Sequence, residues 1–160
     1  MADDTQTATL RGRGKLGTKQ VDTVGNQVLK VSTVEVTAAA STDSTYTLLR
    51  IPSSMRIMGA SKVYFDDLAS SGSPTLDFGL KAVDSNITTD VDALNDGVDV
   101  FTAAGSASLI KDIANYGKQA WEYVSGQTTD PGGFLDITAT ILDAATNTGG
   151  TITLEFFGFE

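Results

Sequence analysis

Between Tyr46 and Asp67 the chain reads YTLLRIPSSMRIMGASKVYFDD, a stretch that leaves little room for anything but a β-fold. Tyr46–Ile51 alternates apolar and polar side chains, as a strand with one face in a core requires. Pro52 cannot donate to a ladder and ends the run, Ser53-Ser54 supply a turn, and Met55–Phe65 resumes the apolar pattern. Gly59, inside the second run, marks a bend or a bulge. Two core strands joined by a Pro-Ser-Ser turn are expected here, and neither contains a group that could turn over a substrate.

The same grammar recurs along the chain. Val28–Thr37 (VLKVSTVEVT) is β-branched and alternating, with Leu29, Val31, Val34 and Val36 as core candidates. Its alternation slips between Val31 and Val34, which predicts a bulge. Leu76–Val83 puts Leu76, Phe78 and Leu80 on one face and Asp77, Gly79 and Lys81 on the other, so that second face is expected in water. Phe134–Leu142 and Thr151–Phe159 are two further strands, and the loop DAATNTGG between them predicts antiparallel pairing. The middle, residues 84–127, is the least regular part. Short helical turns are expected at Thr89–Leu94, Leu109–Ile113 and Gln119–Val124, with a short strand at Gly97–Phe101. Strong strands with scant helix predict an all-β sandwich, and long irregular central loops favour jelly-roll topology. A chain of 160 residues suggests one domain, large enough to bury roughly 70% of its unfolded surface without staples. The body is placed at 28–160. Residues 1–27 hold only Leu10, Leu16, Val21 and Val24 as large apolar side chains and read as an extended N-terminal arm.

Composition removes whole classes of chemistry. Cysteine is absent, so there are no disulfides and no thiolate metal sites. Histidine is absent too, which removes the commonest general base and excludes serine–histidine and cysteine–histidine nucleophiles. The net charge of −9 divides unevenly, +2 over residues 1–30 and −11 over residues 31–160. An acidic body of that size repels nucleic acid and anionic membranes, whereas a basic arm suits an acidic partner surface. The opening MADDTQTATL has no apolar core of a secretory signal, and no apolar run approaches a membrane span, so a soluble chain made in the cytoplasm is expected.

Motifs that might carry chemistry are weak. Gly12-Arg13-Gly14-Lys15-Leu16-Gly17 has the letters of a dinucleotide fingerprint, but no strand precedes it and no helix follows. The run Asp90–Asp99 invites a calcium reading. An EF-hand loop started at Asp92 places Leu94 and Ala103 where ligands belong, so that reading fails, leaving a looser cation loop or a solvated turn. Glu35 and Glu155 lie on strands with alternation that turns them outward. Trp121, Tyr123 and Tyr116 form the one aromatic cluster available to a sugar. No catalytic, cofactor-binding or metal-binding residue is expected, and the chain is read as a non-enzyme.

From Tyr46 to Phe159 the chain resembles phage capsid decoration (cement) proteins. The resemblance rests on YTLLRIPSSMRI, SKVYFDDL, SPTLDFGLKAV, ANYGKQAWEYVSG with TTDPGG, FLDITATI and GGTITLEFFGF. It implies a jelly-roll-like body assembled as trimers or dimers on the virion exterior, clamping adjacent major capsid protein subunits. The arm lies outside the resemblance. Arg11, Arg13, Lys15 and Lys19 are its expected docking contacts by charge, and its Thr- and Gly-rich sequence suits strand addition onto a neighbouring subunit. A tail or baseplate component and a carbohydrate-binding jelly-roll module at the virion surface are the alternatives.

Overall fold

The alternating runs form strands, and the structure, a computed structural model, describes residues 26–84 and 87–160. In chain order the strands are β1 (Gln27–Val36), β2 (Thr45–Pro52), β3 (Arg56–Ile57), β4 (Lys62–Phe65) and β5 (Thr75–Ala82). They continue as β6 (Asp90–Asp99), β7 (Gly105–Ser108), β8 (Phe134–Leu142) and β9 (Gly150–Phe159). Single 3-10 turns occur at Ile113–Asn115 and Ala120–Tyr123. One sheet has the order β1-β9-β4-β7, with β3 paired to β9 beside β4, and the other β2-β8-β5-β6. Among the described residues every pairing is antiparallel, and only β5 and β6 are neighbours both in chain and in sheet. This interleaving of a five-stranded and a four-stranded sheet is the jelly roll. The expected all-β sandwich is what the chain forms.

The core lies between the sheets. Phe78, Leu80, Leu135, Ile137, Ile152 and Phe156 are fully buried there, each contributing about 1.5–3 kcal/mol by leaving water. The Pro-Ser-Ser turn, closed by Met55 N donating to Pro52 O at 3.0 Å, carries the chain from one sheet to the other. Gly59 does mark a break, since β3 and β4 pair with the same side of β9 and leave residues 58–61 between them. Ser61, fully buried, repairs the ladder across this gap. Its Oγ donates to Phe157 O at 3.1 Å and accepts from Phe157 N at 3.0 Å.

Several expectations are corrected. The two C-terminal strands do not pair: β8 belongs to one sheet and β9 to the other, so they face each other across the core. Alternation identifies the buried face of a strand and says nothing about its in-plane neighbour. β1 carries no bulge, its register with β9 running unbroken from Gln27–Phe159 to Val36–Gly150. Leu29 and Val31 consequently point outward, 59% and 67% exposed, while Val36 is buried and Val28 and Val34 pack partly against the core. The helical turn expected at Thr89–Leu94 is the first half of β6, and the strand expected at Gly97–Phe101 is its end. Leu109–Ile113 is not helical, the 3-10 turn lying at Ile113–Asn115, and β7 was not anticipated. Gln119–Val124 does contain a 3-10 turn.

Candidate functional site

The outward face of the first sheet is apolar at one corner. Leu29 on β1 sits directly across from Phe157 on β9, and Val31 across from Glu155. Phe159, Met58 and Ala60 close a cleft of about 380 Å³ beside them. The ring of Tyr116 lies against Gly59, which leaves no room there for a β-carbon. Polar side chains rim this corner. Lys62 opposes Glu155, Thr33 Oγ1 and Thr153 Oγ1 are 2.8 Å apart, and the Tyr64 hydroxyl donates to Glu155 Oε1 at 3.0 Å. That bond to a carboxylate, ahead of burial, raises the Tyr64 phenol above its ordinary range. An exposed apolar centre with a polar margin is the anatomy of a protein-binding surface. The sequence carried the signal, because two large apolar residues at odd positions of β1 were visible; assigning them to the core concealed it.

A second cluster lies on the outer side of the other sheet. Asp77, Asp92 and Asp96 bring carboxylate oxygens within 4.8 Å of one another. Asp77 was expected in water but is only 4% exposed. The cause is a pair of register changes: β6 sets Asp96 and Gly97 against Asp77 between the Leu76–Val98 and Phe78–Asn95 pairs, and between the Phe78–Asn95 and Leu80–Asp90 pairs it again holds more residues than β5 and bulges over it. Gly79 admits that excursion, since a β-carbon there would fall 2.2 Å from the Val91 carbonyl. Asp77 Oδ1 accepts from Gly97 N at 2.8 Å, and Lys111 Nζ lies 3.5 Å from Asp96 Oδ2. Burial, then the charges of Asp96 and Asp143, raise the Asp77 carboxyl above its ordinary range against the pull of the Gly97 amide. Asp92 is raised by its hydrogen bond with Asp90 and then by burial. Such an oxygen trio suits a hard cation or a shared proton, and Lys111 supplies positive charge without either. Asp90–Asp99 is a strand rather than a loop between helices, so the EF-hand reading fails in structure as in sequence. Asp77 escaped the sequence reading because its partners reach it only through the β6 bulge.

The aromatic trio does not form a platform. Tyr123 is buried, its hydroxyl donating to Asn115 O, and desolvation raises its phenol strongly. Trp121 is half-buried with Nε1 donating to Gln119 Oε1 at 3.0 Å, and Tyr116 lies against Gly59. Arg50 Nε and Nη2 donate to the two oxygens of Asp136 at 2.7 and 3.0 Å, a forked pair that fixes the β2–β8 register. The basic residues Arg11, Arg13, Lys15 and Lys19 lie outside the described residues.

The chain matches no protein-family model and none of the curated proteins. Among solved structures it is similar to a chain of the cyanophage Pam1 capsid asymmetric unit, with a TM-score of 0.55 and 16% identity. The likeness covers 86% of each chain, so the two are close in length. It is a likeness of fold.

Proposed function

We propose that the chain is a virion structural protein that decorates a phage capsid and stabilises it by bridging major capsid protein subunits. The observation that carries this reading is the jelly roll shared, over 86% of both chains, with a chain of a phage capsid asymmetric unit. The apolar corner at Leu29, Val31 and Phe157 supports it, because a bridging protein needs a surface that buries against a neighbour. The charge division supports it as well. An arm with Arg11, Arg13, Lys15 and Lys19 on an acidic body suits an acidic lattice partner. A protein that binds the assembled lattice and not the free subunits stabilises the shell by mass action. That task needs no nucleophile, in keeping with a chain that has neither histidine nor cysteine. In this reading the protein sits on the shell exterior as a trimer or dimer and is not an enzyme.

The test is attachment to shells stripped of the protein, followed by gel densitometry and by the temperature at which the shells disrupt. The natural chain is expected to bind and to raise that temperature. Changing Arg11, Arg13, Lys15 and Lys19 together to Gln should weaken attachment by about tenfold or more, and more so at low salt. Attachment to purified tails but not to shells would replace this reading with a tail role, and no attachment to either would end both.

A further inference from the structure

The side-chain hydroxyls of Ser108 and Thr138 are buried and have no hydrogen-bond partner among the described residues. Thr138 is the more telling, because the whole residue is shut off from solvent. Such a hydroxyl gives up its hydration and gains nothing in return, which points to an ion or a water beside it. The register of β8 says where it stands. Thr138 lies beside Gly79 and Thr140 beside Asp77, so all four share the outer face of the sheet, with Thr138 diagonal to Asp77. The backbone of Asp90 and Val91 crosses Gly79 so closely that no β-carbon would fit there. This excursion roofs the outer face at Thr138 and brings the Asp92 carboxylate to Asp77. The unpartnered hydroxyl and the acidic trio therefore meet beneath one bulge.

The trio carries more negative charge than its surroundings answer. Asp77 Oδ1 accepts from Gly97 N at 2.8 Å, which leaves Oδ2 to spare. Lys111 approaches Asp96 alone, at 3.5 Å, and both of those side chains are largely in water. Three carboxylates and a neutral hydroxyl make an all-oxygen set, the choice of a hard cation. Ligands on opposite sides of calcium stand about 4.6–5.2 Å apart, twice its ligand distance. Carboxylate oxygens within 4.8 Å of one another fit around one such ion. Magnesium asks for a near-ideal octahedron about 4.0–4.2 Å across, a stricter demand than an irregular bulge over a strand meets.

We propose that Asp77, Asp92, Asp96 and Thr138 form a calcium site that pins the β6 bulge to the outer face of its sheet. The ion binds the isolated protein, so this inference stands apart from the capsid reading.

Thermal unfolding of the full chain at pH 7 and constant ionic strength, in EDTA and in about 5 mM calcium chloride, tests it. Calcium should raise Tm by about 3 °C or more. Asp92→Asn with Asp96→Asn, both at exposed positions, should remove that rise and still unfold cooperatively in EDTA. Thr138→Val deletes the hydroxyl and keeps the branched shape. It should raise Tm in EDTA and weaken calcium binding about tenfold, as titration calorimetry reads it, whereas a merely structural hydroxyl would move only the first. No calcium-dependent rise in the natural chain would overturn the proposal. A rise that survives the double change would place the ion elsewhere and overturn it equally. An equal rise with magnesium would overturn the choice of calcium.

Discussion

Asp77 shows how much one side chain depends on its cover. On a bare sheet its carboxylate would be solvated; beneath the β6 bulge it is buried with one amide donor and two carboxylate neighbours. Its raised pKa sets the sign of a pH dependence. A carboxyl with its folded pKa above the unfolded value stabilises the fold below the unfolded value, near 4. That contribution is lost as pH rises through the folded value. Asp77→Asn keeps the acceptor for Gly97 N and removes the charge. It should raise Tm at pH 7 by about 2–4 °C, the shift that ~1 kcal/mol gives in a chain of this size. The difference should vanish below about pH 4. Thermal unfolding at both pH values decides it, and a variant less stable at pH 7 would show that the ionised carboxylate holds the β6 turn together.

At the scale of elements, the interrupted strand and the bulged strand are opposite solutions to fitting irregular chain into a ladder. Between β3 and β4 a side chain, Ser61, replaces the missing backbone partner. Between β5 and β6 a missing side chain, Gly79, makes room for surplus backbone. Gly79→Ala should therefore cost about 2–3 kcal/mol, the scale of an overpacked interior, read as a lowered urea midpoint. A midpoint unchanged from the natural chain would mean that β6 shifts freely over β5. These two elements also mark how far the sequence could be read. The runs that became β2, β5, β8 and β9 were legible because each alternates apolar and polar side chains, although in β5 and β8 the polar face is largely buried as well. β6 was not, since its acidic, bulged course hides the period. β1 was located correctly and its faces misjudged, because Leu29 and Val31 break the rule that large apolar residues face the core. The pairing of β9 with β1 rather than β8 could not be seen at all, being a matter of topology. The apolar corner inherits that limit, as it exists only once β9 lies beside β1.

The described residues present two dissimilar outer faces, one with an apolar corner and one with a buried carboxylate, Asp77, under a bulge. Leu29 and Val31 already lie in water, so Leu29→Gln with Val31→Thr should leave the free energy of unfolding in urea within about 0.5 kcal/mol of the natural value. If the corner meets the capsid, the same double change should abolish attachment to stripped shells; full attachment would move the contact elsewhere. The order of the first sheet has one more consequence, and it concerns time. β1 is held by β9, a strand more than a hundred residues further along the chain, and β2 likewise waits for β8. Pairings of such long sequence separation pay their loop-closure entropy late and fold slowly. During synthesis neither sheet can close until residues 134–159 have emerged from the ribosome. The corner made by Leu29 and Phe157 cannot be assembled earlier than that. A nascent fragment of this chain therefore has no such surface to offer, and only a molecule synthesised through β9 is competent to engage a partner there.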